Sequence, residues 1–309
     1  MKKILLPLLI LSLLANFGLV IFMFNSNPIP KSSQNVIYPF LSKRIFSENQ
    51  NDILISFTEL RTQLRKYSAS LPYKTGVYFE YLPSGTSIGV NEKEQFIPAS
   101  LIKVPIVMAV YKKIEAGKLK KNDFISLEER FKDKTSGTLW QKANGTKLAV
   151  QDAIYKTLDD SDNTAKNILL SLLSKDELGF VFDSLDLDVS PTAEEEAVIT
   201  PKNYSSILRS LYLSSYLNQT YSNEILETLS QSNNDMRLRS GIPNDVIVAS
   251  KYGISYGANL KRSVYSDCGI IYLPKRPYLL CVMSEADEAT AYAIMKSYAE
   301  ITYNFVSKL

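Results

Sequence analysis

The chain has 309 residues, of which 45% are hydrophobic, so it can bury a sizeable core as one large domain or two closely packed lobes. Its formal net charge of +3 is too small to indicate a nucleic-acid partner. It contains no histidine, two cysteines and no glycine-rich phosphate loop, so neither a metal site nor a bound cofactor is expected.

An apolar segment precedes the rest of the chain. Lys2 and Lys3 are followed by an almost unbroken apolar run over residues 4–24, which is long enough to cross a bilayer. The charges before it predict a cytoplasmic N-terminus and an exported remainder. Because no A-x-A cleavage site follows, residues 1–26 are interpreted as an uncleaved signal-anchor that holds the protein in the cell membrane, facing outward. A signal peptide cleaved near Ser26, giving a secreted protein, is the alternative.

The remaining sequence divides into a linker and a folded region. Residues 27–51 are rich in Ser, Pro and Asn and lack a helical period, which predicts a tether, and residues 52–309 are expected to fold. The hydrophobic patterns then predict, in chain order, a helix near 53–67, a hairpin of strands 75–81 and 86–90, a mostly helical block over 100–230, strands 246–250, 264–273 and 278–283, and a final helix over 291–305.

This order of elements predicts an α/β (α+β) fold. Short turns join the strands, which indicates an antiparallel sheet whose two halves, distant in sequence, close together. N-terminal and C-terminal helices would flank this sheet in one lobe, made of residues 52–98 and 240–309. An all-α lobe would be inserted over residues 99–239. We expect the protein to be a monomer.

The two cysteines, Cys268 and Cys281, fall on consecutive predicted strands. They can lie near each other across that hairpin, and export would permit a disulfide. Two small buried thiols are an equally good interpretation of the same pattern.

The absence of histidine restricts how a serine nucleophile can be activated, because its base must be a lysine or a carboxylate. Ser100 opens a strongly apolar stretch, and Lys103 lies one helical turn later on the same face. A lysine held in apolar surroundings loses basicity and can take a proton from the serine. The alternative is a helix-capping serine beside a surface lysine. The apolar stretch favours the catalytic interpretation, because a lysine is rarely buried unless it is paired or has a function.

A second short motif, Ser161-Asp162-Asn163, lies between two predicted helical segments. The Ser161 hydroxyl can pass a proton to a leaving nitrogen, and the Asn163 amide can hold both a substrate amide and Lys103. Taken alone, such a tripeptide is more often a helix cap.

A third motif, Lys251-Tyr252-Gly253, follows an apolar strand. Lys251 can bind a substrate carboxylate and help to lower the pKa of Lys103, and Gly253 permits close approach of a peptide-like substrate. The backbone N–H groups of Ser100 and Ile254 are then candidates for an oxyanion hole. An exposed strand lysine beside a turn glycine is the alternative.

The ordered set of three motifs resembles the S-x-x-K, S-D-N and K-T-G pattern of the serine β-lactamase and penicillin-binding D-Ala-D-Ala peptidase superfamily, in particular its class A β-lactamase-like branch. The resemblance extends from Asp52 to the C-terminus. It implies the β-lactamase/transpeptidase fold, with Ser100 as the acylated nucleophile and Lys103 as its base. Ser161 would be the proton shuttle, Asn163 a clamp for substrate and lysine, and Lys251 the carboxylate-binding and proton-relay lysine. The flanking segments 96–103, 199–201 and 237–243 also look like those of the family.

Two departures from the family pattern bear on activity. The family's omega loop carries E-x-x-L-N, whose glutamate activates the deacylating water, and residues 186–198 contain no such motif. Glu194, Glu195 and Glu196 are the acids that can replace it, although a run of three acids is usually a solvated loop. The second departure is Tyr252 in place of threonine, which either alters the carboxylate pocket or packs on the other side of its strand.

Three functions follow from these observations. The first is an exported serine hydrolase that is acylated by β-lactams or by D-Ala-D-Ala-like stem peptides of peptidoglycan and deacylates slowly. The second is a β-lactamase with an unusual deacylation base. The third is a non-catalytic cell-wall-binding domain that has kept the fold.

Overall fold

The computed structural model describes residues 39–41, 55–187, 197–232, 236–256 and 263–309. The predicted signal-anchor, most of the predicted linker and the expected start of the domain at Asp52 lie outside the described residues. Among the helices of the described part, none is long and apolar enough to cross a membrane.

The described chain contains eight α-helices and seven strands. The helices are α1 (Thr58–Ala69), α2 (Lys103–Glu115), α3 (Val150–Leu158), α4 (Asn163–Ser171), α5 (Lys175–Asp183), α6 (Pro201–Tyr212), α7 (Gln219–Gln231) and α8 (Glu288–Val306). The strands are β1 (Thr75–Tyr81), β2 (Thr86–Val90), β3 (Phe124–Ser126), β4 (Lys147–Ala149), β5 (Val248–Ser255), β6 (Val264–Ile271) and β7 (Tyr278–Glu285).

The main sheet has the strand order β2-β1-β7-β6-β5. Every neighbouring pair is antiparallel, and β1 pairs with β7, with Val77 opposite Val282. The first and last parts of the folded region therefore close one sheet, with helices α2 to α7 between them in sequence. The predicted α/β (α+β) fold class is confirmed.

Alternation along β1 gives the sheet its two packed faces. Val77, Phe79 and Tyr81 join α1 and α8 in a core that also holds Leu60 and Tyr298. On the other face α6 contacts β1, β6 and β7. There Arg209 Nη1 of α6 lies 2.9 Å from Glu80 Oε2 of β1, and this pairing satisfies a carboxylate that is 3% exposed.

Two features differ from the sequence-based expectation. The predicted helical block contains a two-stranded sheet of β3 and β4, whose three-residue strands are too short to show a period of two. In addition, β5 begins later than predicted and continues to Ser255, so Lys251-Tyr252-Gly253 lies inside the edge strand instead of following it. The third motif is therefore placed by sheet hydrogen bonding.

The structure settles the open question about the cysteines. Cys268 of β6 and Cys281 of β7 are directly opposite each other in the sheet, and they form a disulfide. Both residues are fully buried, so the bridge joins two central strands of the sheet inside the core.

Part of the predicted linker packs on the folded region. Phe40 is 8% exposed, and its ring meets that of Tyr272 edge-on at a centroid distance of 5.2 Å. Its carbonyl oxygen accepts a hydrogen bond from Tyr272 Oη at 3.0 Å, and its N–H donates to Asn223 Oδ1 at 3.3 Å. The short stretch of residues 39–41 is thus fastened to the body between α7 and the end of β6.

Candidate active site

Ser100 lies in a short 3-10 helix, Ala99–Ile102, that leads directly into α2. Residues three apart are eclipsed in a 3-10 helix, so Ser100 and Lys103 point the same way, as the S-x-x-K spacing requires. Lys103 Nζ is 3.0 Å from Ser100 Oγ. Ala99, just before the serine, has a φ of +47°, a left-handed conformation that non-glycine residues adopt rarely and often at functional sites.

Lys103 is buried, with 1% of its surface exposed, yet its side-chain nitrogen has three polar contacts. Besides Ser100 Oγ, Nζ contacts Ser161 Oγ at 3.0 Å and makes a short hydrogen bond to the Ser161 carbonyl oxygen. These contacts join the first and second sequence motifs. Since Lys103 begins a helix that is buried over its first nine residues, the apolar stretch of the sequence does place it in a dry environment.

Lys251 reaches the same point from β5, the edge strand of the main sheet. Its Nζ donates to Ser161 Oγ at 3.0 Å, and its side chain is 1% exposed. Ser161 Oγ therefore lies between two buried amines. The Ser161 backbone has a φ of +53°, so the hydroxyl that contacts both lysines stands on a strained turn.

The pKa values of both lysines are strongly lowered. Burial lowers the pKa of Lys103 to about 7, and the positive charges of Lys251 and Lys166 lower it further. The negative charges of Asp162 and Asp133 oppose this shift. Burial also lowers the pKa of Lys251 to about 7, although the negative charge of Asp267 opposes the shift. Near neutral pH, one amine can be neutral while the other is charged, which a base and an anion-binding group respectively require.

Asn163 lies beside this cluster but does not bind Lys103 within the described residues. Its Nδ2 donates to Thr135 Oγ1 at 2.7 Å. The expected link from Asn163 to Lys103 is thus replaced by a link to the loop that precedes the 3-10 helix Leu139–Gln141. Asn163 is the first residue of α4 and remains next to the Ser161 turn.

Sequence reasoning missed the loop that holds this turn in place. Asp162 Oδ2 accepts hydrogen bonds from Thr138 N and Leu139 N, each at 2.8 Å, and Asp162 Oδ1 caps α4 by accepting from Ala165 N. Gly137, with a φ of +82°, passes so close that an added Cβ would lie 2.1 Å from Asp162 Oδ2. The only sequence signal was a glycine in a polar stretch.

Gly253 and Tyr252 have different roles in the geometry of β5. A Cβ at Gly253 would lie 2.7 Å from Pro98 O and 3.2 Å from Ser100 N, so the strand edge lies directly against the Ser100 turn. This brings the Ser100 N–H close to the stretch of β5 that carries Ile254, whose half-buried side chain packs against the core.

The ring of Tyr252 stacks on a cation. The Arg237 guanidinium carbon is 3.9 Å from the ring centroid, and Lys251 Nζ is 4.6 Å from it. Arg237 is 7% exposed, has a φ of +60° and donates from Nη1 to Tyr292 Oη at 3.1 Å. Its charge also counteracts the rise in the pKa of buried Asp267 that burial causes. In sequence, Arg237 was visible only as part of a flanking segment.

Comparison with known proteins agrees with this geometry. A sequence model of the beta-lactamase enzyme family matches residues 59–306. Beta-lactamase VEB-1 of Pseudomonas aeruginosa is 26% identical over 244 residues, which cover 71% of this chain and 81% of that protein. Beta-lactamase SME-1 of Serratia marcescens is 25% identical over 207 residues, covering 62% and 70% respectively.

Solved structures show the same fold. PBP-A superposes with a TM-score of 0.74 at 21% identity, covering 82% of this chain and 97% of its own. A beta-lactamase from Sphaerobacter thermophilus also gives a TM-score of 0.74, at 24% identity and with coverage of 82% and 99%. The resemblance stated from the three motifs is confirmed: the chain belongs to the beta-lactamase enzyme family and is a serine hydrolase of the β-lactamase type.

Proposed function

We propose that this protein is an extracytoplasmic enzyme whose Ser100 is acylated by β-lactams or by D-Ala-D-Ala-like peptides, and that it deacylates slowly. The observation that carries the proposal is the buried chain of hydrogen bonds from Ser100 through Lys103 and Ser161 to Lys251. Two similarities support the substrate class. VEB-1 is a β-lactamase, and a variant of PBP-A was solved as an acyl-enzyme complex with penicillin G.

The partners of Lys103 match those of a neutral amine acting as a base. A neutral amine has two N–H donors and one lone pair. The donors fit Ser161 O and Ser161 Oγ, which leaves the lone pair for the proton of Ser100 Oγ at 3.0 Å. Lys103 then removes that proton as Ser100 attacks the carbonyl carbon, and burial keeps the amine neutral enough to do so.

Ser161 completes the proton path. Its Oγ accepts from both Lys103 and Lys251, so its own proton is free to pass to the leaving nitrogen while Lys103 returns the proton it has gained. Charged Lys251 attracts the carboxylate of the substrate. The guanidinium of Arg237, which lies against the Tyr252 ring, adds positive charge near Lys251. The N–H groups of Ser100 and Ile254 stabilise the oxyanion.

The proposal of slow deacylation is supported by the sequence and by the acids described near the site. The sequence lacks E-x-x-L-N, and Glu194, Glu195 and Glu196 lie outside the described residues. Of the described acids that raise the pKa of Lys103, Asp162 is occupied by three N–H donors and Asp133 by Thr135. The described residues thus offer no free carboxylate here to activate water, and loss of such a base slows deacylation by a factor of about 10²–10⁴.

The proposal that the enzyme is exported rests on the sequence of its first segment. Residues 1–26 combine basic residues with an apolar run that is long enough to span a membrane, either as an anchor or as a cleaved signal peptide. A fusion of residues 1–51 to a reporter that is active only outside the cytoplasm tests this part separately from the chemistry.

We expect a persistent acyl adduct on Ser100. The full chain is incubated with a fluorescent penicillin, the reagent is removed, and intact mass is followed over time. A mass increase equal to the whole penicillin, persisting for minutes or longer and absent in Ser100→Ala, is the expected result. Loss of the adduct within seconds would contradict slow deacylation, and absence of any adduct would contradict the catalytic role of Ser100.

The same time course distinguishes the proposed function from the second candidate function, a β-lactamase. The β-lactamase relatives favour rapid hydrolysis. A transient adduct, together with fast turnover of a chromogenic cephalosporin that Ser100→Ala abolishes, would establish a β-lactamase. A chain that never acquires an adduct would be the non-catalytic cell-wall-binding domain, against which the complete lysine and serine cluster argues.

We expect the acylation rate to follow a bell-shaped dependence on pH with its maximum near neutrality. Lys103 must lose its proton to act as a base, so the rate rises with pH through a pKa of about 7. Lys251 must keep its proton to attract a carboxylate, so the rate falls as that lysine deprotonates. The two apparent pKa values belong to the coupled pair. Acylation by the fluorescent penicillin, measured from pH 5 to 10, checks this; a rate still rising at pH 10 would indicate an unperturbed lysine.

A further inference from the structure

We infer that the Ser136 hydroxyl, by donating to the same carbonyl oxygen as Lys103, holds this amine in the neutral, correctly oriented form that takes the Ser100 proton. Ser136 lies in the loop before the 3-10 helix Leu139–Gln141. It acts through the Ser161 carbonyl and is therefore a positioning residue. The inference deepens the proposed function and rests on it, because the state of Lys103 affects acylation only if Lys103 is the base for Ser100.

Ser136 binds the turn that carries Ser161 on both sides of Asp162. Its Oγ donates to Ser161 O at 2.8 Å, and its carbonyl oxygen accepts from Asn163 N at 3.0 Å. Ser161 has a φ of +53°, and a non-glycine residue keeps such a conformation only where its surroundings hold it. The two hydrogen bonds to Ser136 are contacts of this kind. Ser136 is thus part of what keeps the strained turn in place.

The Ser161 carbonyl oxygen is shared between two donors. It accepts from Ser136 Oγ and, through a short hydrogen bond, from Lys103 Nζ. A carbonyl oxygen has two lone pairs, so these donors use its full capacity. Rotation of the peptide group away from Lys103 would break the hydrogen bond to Ser136. The oxygen therefore stays where, together with Ser161 Oγ, it binds the two N–H groups of a neutral amine, which leaves the nitrogen lone pair for Ser100 Oγ at 3.0 Å.

Sharing this oxygen also opposes protonation of Lys103. Hydrogen bonds to the charged form of a lysine favour that form and raise its pKa. The Ser136 hydroxyl already draws electron density from the Ser161 carbonyl, so this oxygen stabilises an ammonium less than an unshared carbonyl would. Ser136 thus acts in the same direction as burial, which lowers the pKa of Lys103 to about 7.

Charged groups also act on Lys103, and they come from several elements. They are Lys251 of β5, Lys166 of α4, Asp162 of the Ser161 turn and Asp133 of the loop. The two lysines lower the pKa of Lys103, and the two carboxylates raise it. Removing the Ser136 hydroxyl leaves all of these charges in place. A change in the pH dependence of acylation would therefore result from the lost hydrogen bond and not from a lost charge.

The test uses Ser136→Ala in the full chain, with acylation by a fluorescent penicillin measured from pH 5 to 10. We expect the rising limb of the pH–rate profile to move to higher pH by roughly 0.5–1 unit, as for a change in one hydrogen bond. Acylation then falls by roughly three- to tenfold at pH 6 and by less than about twofold at pH 9, where Lys103 is neutral in both proteins. Ser136→Thr keeps the hydroxyl and should restore the profile of the unaltered chain.

Ser171→Ala is the matched control. Ser171 Oγ donates to Ile168 O at 2.7 Å at the end of α4, so this substitution removes the same kind of hydrogen bond at a distance from Lys103. Its pH–rate profile should equal that of the unaltered chain.

Equal slowing of Ser136→Ala at every pH would indicate a purely structural contact and would overturn the inference, as would an unchanged profile or a shift to lower pH. If Ser136→Ala does not fold, Ser136→Cys replaces it, because a thiol is only a weak donor. A rising limb that stays in place in that variant would equally overturn the inference. Failure of the proposed function would be visible separately, as no adduct on the unaltered chain at any pH, and would remove the basis of the inference.

Discussion

Replacing Lys103 with methionine is expected to slow acylation of Ser100 by about 10²-fold or more, because the site then has no base to take the serine proton. Methionine keeps most of the side-chain volume, so the buried start of α2 is preserved. Lys118→Met is the matched control, since Lys118 is exposed beyond the end of α2. Both variants are compared with the unaltered chain by fluorescent-penicillin labelling at pH 7. An acylation rate within about threefold of that of the unaltered chain would contradict the role given to Lys103.

The same variant should also be more stable, which separates loss of chemistry from loss of fold. The folded pKa of Lys103 is about 7, below its ordinary 10.5, so the folded state disfavours the charged form. This penalty is fully present below pH 7 and disappears as the pH rises from about 7 to 10.5, where the unfolded chain binds more protons than the folded one. Lys103→Met removes the penalty, so we expect a gain of roughly 1–3 kcal/mol at pH 6 that shrinks with rising pH. Chemical denaturation at pH 6 and pH 9 measures it.

The elements that were predictable from sequence are those with strong local signals. The hairpin of β1 and β2 has the bounds that its turn and alternating residues predict, and α8 follows its apolar period. The pairing of Ser100 with Lys103 was predictable because both lie within a single helical turn. In each case a short stretch of chain contains all the information that the prediction uses.

The features that sequence reasoning missed depend on contacts between distant segments. The hydrogen bond from Asn163 Nδ2 to Thr135 Oγ1 joins residues that are 28 positions apart, and nothing in either residue type indicates the other. The position of Tyr252 against Arg237 depends in the same way on how the 3-10 helix Arg237–Gly241 meets β5. Likewise, the three-residue strands β3 and β4 form because they pair with each other, and neither has a pattern of its own.

Gly253 shows how such a distant contact controls the chemistry, and Gly253→Ala is expected to reduce acylation about 10²-fold or more. The new Cβ would lie 2.7 Å from Pro98 O, 3.2 Å from Ser100 N and 3.3 Å from Leu101 N. All three are backbone atoms that cannot move aside as a flexible side chain would. Either β5 or the Ser100 turn has to shift, and a displacement of about 1 Å between nucleophile and oxyanion donors costs a factor of this size.

The matched control is Gly179→Ala, in the interior of α5, where an added Cβ meets nothing within 4 Å. Alanine is favoured over glycine inside a helix, so this variant should keep full acylation and gain up to about 1 kcal/mol of stability. Gly253→Ala should instead lose stability by about 1–3 kcal/mol through overpacking, while remaining folded by circular dichroism. If folded Gly253→Ala were acylated as fast as the Gly179→Ala control, the edge of β5 would not be what sets the geometry around Ser100. The oxyanion donors would then have to be sought elsewhere in the turn.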